Sequence, residues 1–281
     1  MDGRLKLHFE RDPEAGQTVV RVREQRPPLQ VVRAFPLDNG GALVHLHNLS
    51  GGVLGGDGLR VTMEVGPEAG AQVTSTGATR IYRSRSSAPT AVQRTEIRLR
   101  ENAWIEYLPD RLIPFSGSRY RQETRIEMAP GAGLFWWETV APGREARGEL
   151  FDYELLQIES DVAAEGRVVA LERIRLEPCL HPLASPARLG PYRYWSTFYI
   201  CRVGVAAARW AALEKQLGEL AEELTRPSEV SWGVSALVAH GLSVRGLGVS
   251  GREITAGLMT FWRAAKRELY GQEAVPPRKI Y

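Results

Sequence analysis

From Arg4 to about Leu176, apolar and polar residues alternate with a period of two, in runs such as "LRVTMEV", "QRTEIRLR", "RYRQETRIEM" and "RVVALERIRL". Side chains of an extended strand point to opposite faces in turn, so this pattern predicts half-buried β-strands separated by frequent turns. Arg and Glu take many of the alternate positions, which predicts strands with one face in solvent. An internal echo accompanies the alternation. "VGPEAGAQVTS", "LRENAWIEYL" and "MAPGAGLFWWE" each read as strand, tight turn and strand, with Ala71, Ala103 or Ala132 leading the second strand. The spacing suggests stacked β layers with a repeating turn, although three degenerate copies are a weak repeat.

Past the prolines at 186 and 191 the period changes. In "AAARWAALEKQLGELAEEL" the residues Trp210, Leu213, Leu217, Leu220 and Leu224 fall on one face of a helix. Ser250 and Glu253 predict a capping box at the start of a second helix, with Ile254, Leu258, Phe261, Trp262, Ala265 and Leu269 as its apolar face. The runs "EVSWGVSAL" and "GLSVRGLGV" lie between the two helices as strands. The expected organisation is one domain over residues 1–281: β-rich to 185, mixed strand and helix over 191–270, and an extended tail over 271–281.

Composition limits the function classes. A chain of 281 residues with 43% hydrophobic and 25% charged residues can bury a substantial core. The 36 basic residues are offset by 33 acidic ones, leaving a net charge of only +3, so no nucleic-acid partner is implied. The two cysteines, Cys179 and Cys201, show no Cys-x-x-Cys spacing, which fits reduced thiols rather than a disulfide framework or zinc knuckle. No stretch approaches the roughly 18 uninterrupted apolar residues of a membrane span, and the N-terminal run lacks an apolar signal core. A cytoplasmic protein without a membrane partner is expected.

The densest candidate stretch is "HLHNLSGGVLGGDGLRV". Its glycines resemble a phosphate loop, but no Gly-Lys-Ser or Gly-Lys-Thr follows, and the segment leads into a strand where a phosphate loop needs a helix N-terminus. His45 and His47, two apart on a strand, share a face and could offer two ligands to a metal ion. Two ligands do not complete a site, and ordinary strand histidines fit equally. Asp57, between glycines, is either a turn residue bonding its own backbone or a carboxylate open to a cation or water. Glu138, in "LFWWETV", shares a face with Trp136, opposite Trp137. A carboxylate placed among such bulk needs a partner: an arginine such as Arg144 or Arg147, a polar cavity, or a cation. No Ser-His-Asp order, metalloprotease helix or catalytic cysteine setting is present, so no hydrolytic machinery can be named.

Several segments, taken in order, resemble the UreD urease accessory proteins, called UreH in some organisms. They are "SGGVLGGDGLRV", "QVTSTGATRIYRS", "AWIEYLPDRLIPFSGS", "GLFWWETVAPGREARGE", "LSVRGLGVS", "FWRAAKREL" and the terminal "PPRKIY". The resemblance runs from about residue 30 to the C-terminus. It implies a mainly β fold of stacked, superhelix-like layers with two α-helices in the C-terminal half. It also implies a non-catalytic scaffold that binds urease apoprotein subunits and UreF, reaches the GTPase UreG through UreF, and assists nickel insertion. Self-association is left open. No tightly bound cofactor is implied, and nickel would be held transiently in a polar internal passage. Matched by motif, that passage would involve Asp57, Thr74, Ser75, Thr76 and Glu138. Gly77 stands where the family often has glutamine, Tyr281 where it often has tryptophan, and "HLHNLS" replaces an aromatic, proline-rich stretch, so His45 and His47 gain no support from the family as nickel ligands. Two other readings stay beside this one: a metal-dependent enzyme using His45 and His47, and a β-rich binding module for an acidic ligand.

Overall fold

The computed structural model describes residues 1–277, and among these it is mainly β with two helices late in the chain. The strands come in the order β1 (Asp2–Arg11), β2 (Thr18–Arg26), β3 (Leu29–Gln30), β4 (Ala34–Pro36), β5 (Ala42–Asn48) and β6 (Gly58–Val65). There follow β7 (Gly70–Ser75), β8 (Thr79–Ile81), β9 (Ala91–Leu99), β10 (Trp104–Tyr107), β11 (Leu112–Pro114), β12 (Arg119–Met128) and β13 (Gly133–Val140). The remainder is β14 (Leu155–Ala164), β15 (Arg167–Leu176), β16 (Tyr194–Arg202), α1 (Ala207–Leu224), β17 (Val230–Ala236), β18 (Gly241–Gly248) and α2 (Gly251–Tyr270).

Two sheets result. One has the order β15-β14-β12-β9-β6-β1-β2, and the other follows β17-β18-β16-β13-β10-β7-β5-β3 with β4, β8 and β11 alongside. The chain winds between them: β6, β9 and β12 pair in parallel in the first sheet, and the strands that follow each of them, β7, β10 and β13, pair in parallel in the second. Each turn from one sheet to the other is thus one step of a coil, which is the superhelix-like stack. The repeat register differs from the sequence echo at one position. Trp104 pairs with Gly70 and Gly133, so the alanines in equivalent places are Ala69, Ala103 and Ala132, not Ala71. All three of these turn alanines are fully buried, their methyl groups enclosed within the stacked turns.

Three layers follow from the alternation. Side chains of the seven-stranded sheet such as Leu7, Met63, Ile97, Ile126 and Val162 meet Leu134, Trp136 and Tyr199 of the second sheet in one apolar cluster. The opposite face of the second sheet, with Phe135, Trp137, Phe198 and Ile200, packs on Trp210, Leu213 and Leu217 of α1 and on the apolar face of α2. Strand β16 is buried at nearly every position, so both its faces are apolar or neutral and its sequence shows no alternation. The outer face of the seven-stranded sheet carries a ladder of ion pairs, among them Arg94–Glu123, Arg121–Glu159 and Arg98–Glu127.

Both helices lie where the 3.6-residue spacing puts them, and every predicted apolar residue of α2 is buried. The capping box is corrected in half. Ser250 is the N-cap and its hydroxyl accepts from the Arg252 N–H, but Glu253 turns outward to Arg226 at 2.5 Å instead of reaching back. An external arginine offers that carboxylate a stronger, charge-assisted bond than a backbone amide does. Residues 271–277 of the tail run without helix or strand, and its final segment with Tyr281 lies outside the described residues.

Candidate functional site

Because strand phase decides which side chains face inward, the inter-sheet layer can be read along each strand. In β9 the inward residues are Gln93, Thr95, Ile97 and Leu99; in β12 they are Tyr120, Gln122, Thr124, Ile126 and Met128. The apolar half of each set lies near the turns and the polar half lies toward the other end. Register then aligns the polar halves, Thr95 beside Thr124, Thr124 beside Ser160, and Ser160 beside Glu172. Thr95, Thr124, Ser160 and Glu172 are all buried, so a polar seam crosses the interior of this sheet.

The facing sheet answers with Tyr107, Glu138, Thr197 and Arg245. Glu138 on β13 pairs with Thr197 on β16, which pairs with Arg245 on β18. As the alternation predicts, Glu138 lies on the face of Trp136 and points into the inter-sheet layer. Its expected arginine partners are not used: Arg144 is paired with Glu149 instead. The Glu138 carboxylate accepts a hydrogen bond from the amide of Gln122, which reaches across from the other sheet. Tyr120 O–H donates to the Gln122 carbonyl oxygen at 3.3 Å, and this leaves the amide N–H₂ as the end facing Glu138.

One hydrogen bond does not offset the loss of water. Burial first, and then repulsion from the Glu172 carboxylate, push Glu138 from the ordinary carboxylate range up to about 8, against a smaller lowering by Gln122. Glu172, on β15, is only 5% exposed. It accepts from Tyr199 O–H at 3.2 Å and pairs with Arg245 at 3.1 Å. Two carboxylates from opposite sheets therefore act on each other across a polar seam. Two buried polar atoms near them, Ser160 Oγ and Trp136 Nε1, find no hydrogen-bond partner among the described residues. Such atoms cost free energy unless water or a hydrated ligand meets them.

Cavities adjoin the seam. A small one of about 40 Å³ is lined by Tyr107, Asp110, Gln122 and Glu138. It shares Thr79, Gln93, Tyr107 and Pro109 with an outer cavity of about 260 Å³, walled by His47, Gly51, Gly52, Ser75, Thr76 and Arg80. On the other side of Glu138, beyond Ser196 and Thr197, a third of about 430 Å³ opens at the edge strand β15, with Glu172, Trp195 and Arg245 among its walls.

The residues singled out in the sequence fall in different places. Ser75 and Thr76 line the outer cavity and Glu138 the inner one. Thr74 is fully buried and its hydroxyl donates to the Leu108 carbonyl at 2.7 Å. Asp57, 3% exposed, lies outside all these walls. Its carboxylate meets the Met1 ammonium at 2.5 Å and accepts the Leu54 N–H at 2.9 Å. The surrounding glycines are a backbone device: Gly51 and Gly56 have φ of 73° and 86°, and a Cβ on Gly52 would come within 2.6 Å of the Arg80 carbonyl. His45 is buried edge-on to Phe35, while His47 borders the outer cavity with its pKa lowered by burial and by His45. Among the described residues no group of three or more His, Cys, Asp or Glu stands close enough to hold a metal ion. Glu172, Gln122 and Arg245 were not anticipated. Their signal was a polar residue on the inward phase of an alternating strand, visible only once that phase is known.

Comparison with known proteins agrees over the whole chain. A family model described as "UreD urease accessory protein" matches residues 1–280. A protein of Herpetosiphon aurantiacus named urease accessory protein UreD is 48% identical over 281 residues, covering 100% of this chain and 97% of that protein. One of Deinococcus radiodurans with the same name is 32% identical over 270 residues, 96% of this chain and 91% of the relative. One of Brucella abortus, urease accessory protein UreD 2, is 29% identical over 274 residues, 95% and 88%.

Proposed function

The chain belongs to the UreD urease accessory protein family, and on that premise we propose that it is a non-catalytic scaffold that binds urease apoprotein and UreF, with UreG reached through UreF, and carries nickel ions along the polar seam between its sheets. The observation that carries this reading is the pair of carboxyl groups set on opposite sheets, Glu138 half-buried at the wall of the inner cavity and Glu172 buried at the wall of the third one. A carboxyl group with no cation of its own, such as Glu138, is held towards its protonated form by desolvation and by the neighbouring carboxylate, and a hydrated divalent cation arriving beside it can take the proton's place. The unpartnered Ser160 Oγ and Trp136 Nε1 fit the same use, because water accompanying the ion would satisfy them.

Ser75 and Thr76 would offer neutral oxygens at the outer cavity, Gln122 would hold Glu138 in place, and Glu138 and Glu172 would attract the ion. Thr74 and Asp57 enter as wall-builders: Thr74 ties β7 to the chain after β10, and Asp57 fixes the loop that supplies Gly51 and Gly52. Hard oxygen ligands in small number suit transit, since a closed nitrogen and sulfur site would retain nickel. The reading places the protein in the cytoplasm with its partners; among the described residues no helix is long and apolar enough to cross a membrane.

The test is nickel content of urease matured in cells carrying Glu138→Gln or Glu172→Gln. Both variants are expected to fold, to co-purify with urease, and to yield enzyme depleted in nickel. Normal nickel content with both variants would sink the passage.

A further inference from the structure

Arg245 stands out among the arginines of this protein. Most sit on exposed ladders opposite exposed carboxylates, but the Arg245 guanidinium, 63% exposed, is paired with a carboxylate that is 4% exposed. It forms no other ion pair or side-chain hydrogen bond among the described residues. The fold explains the asymmetry. The seven-stranded sheet ends at β15, whereas the second sheet continues past β16 to β18 and β17. Arg245 on β18 therefore lies beyond the edge of the facing sheet and leans back under it to reach Glu172 on β15. It stands in the cross-strand row Glu138–Thr197–Arg245, so it closes the seam at the end where the third cavity opens.

We propose that Arg245 is a removable plug: its guanidinium occupies the position beside Glu172 that a divalent cation would take, and it must swing into solvent before Glu172 can accept one. This rests on the passage reading above. An arginine head group and a divalent cation compete for one carboxylate and repel each other at short range. With Arg245 in place Glu172 is neutralised and the seam is closed to cations at this end. With Arg245 withdrawn, Glu172 keeps only the Tyr199 O–H, and the two carboxylates act together. Withdrawal is cheap for the arginine, since its side chain is mostly solvated and holds nothing else. A carboxylate offered at this edge by a docked protein would compete for the guanidinium and open the seam at the moment of docking.

The experiment is equilibrium dialysis of the full chain against Ni²⁺ alone, for the parent, Arg245→Ala, Arg245→Lys, and Arg245→Ala combined with Glu172→Gln, with circular dichroism to confirm the fold. Arg245→Ala should bind Ni²⁺ roughly tenfold more tightly, the scale of removing one close like charge from a partly solvated site. Arg245→Lys should remain near the parent, because it keeps the charge, and the double variant should lose the gain. Binding by Arg245→Ala no tighter than the parent, or a gain that survives Glu172→Gln, would overturn the plug. The two readings fail separately. If Glu138→Gln and Glu172→Gln deplete urease of nickel while Arg245→Ala leaves dialysis unchanged, the passage stands and the plug falls. If those glutamine variants load urease normally, the passage falls whatever dialysis shows.

Discussion

Two glutamates occupy opposite faces of the same sheet, and their surroundings differ in kind. Glu106, on β10, faces the helical layer. Its carboxylate meets Lys266 Nζ at 2.5 Å, the Gln72 amide at 2.7 Å and Trp262 Nε1 at 3.2 Å, and the lysine lies over the rings of Trp104 and Trp262. Glu138, on β13, faces the inter-sheet layer and has one neutral amide and a second carboxylate for company. Glu106 is fully buried and Glu138 half-buried, and of the two only Glu106 has a counter-charge among the described residues. A buried carboxylate with its own cation on a rigid helix is a structural joint, here tying α2 to β7 and β10, with Gln72 also holding the tail through the Val275 carbonyl. A half-buried carboxyl group without one keeps its proton more tightly and can exchange it for a cation from outside.

The sharpest break of this contrast is Lys266→Met. Leaving Glu106 buried and unpaired should cost about 3–5 kcal/mol. Chemical denaturation should show that loss, and adding Glu106→Gln should recover most of it; a small loss would mean that Glu106 is no joint.

Glu138→Gln should act in the opposite sense. The folded protein holds the Glu138 proton up to about pH 8, whereas the unfolded chain releases it near the ordinary carboxylate value of 4.5. Between these the folded state binds more protons, so its stability falls as pH rises through this window. The glutamine variant lacks that slope. It should match the parent near about pH 5 and exceed it increasingly toward about pH 8, by at most a few kcal/mol. Parallel stability curves across this range would remove Glu138 from the comparison.

Asp57→Asn tests a carboxylate intermediate between these two, buried but paired with the chain's own ammonium. It should cost about 1–2 kcal/mol in thermal unfolding, with nickel delivery falling only as far as the loop at Gly51 and Gly52 is disturbed. The smallest effect belongs to His47→Ala, at about 0.5 kcal/mol or less, with Ni²⁺ uptake in dialysis unchanged. A clear loss of uptake would bring the histidines back as ligands.

Much of the fold was legible because it rests on local periodicity. The strands "LRVTMEV" and "RYRQETRIEM" and the α2 face from Ile254 to Leu269 are recovered almost residue for residue. Strand β16 was not, since burial on both faces erases alternation. In the site, Glu138 was conspicuous for standing beside two tryptophans. Glu172 was not: in "LERIRL" it looks like any surface glutamate of an alternating strand, and Lys266 in "RAAKREL" looks like a solvated helix lysine.

What the sequence determined by itself was therefore periodic: strand and helix faces, the glycine loop as a backbone device, and, through ordered motifs, the family. Pairing was decided only by the tertiary structure. Whether a carboxylate meets a lysine, an arginine, an ammonium or another carboxylate depends on which strands lie opposite and in what register. Those contacts join positions such as Glu106 and Lys266, or Glu172 and Arg245, which are far apart in the chain, and electrostatic energy depends on distance in space, not on separation along it.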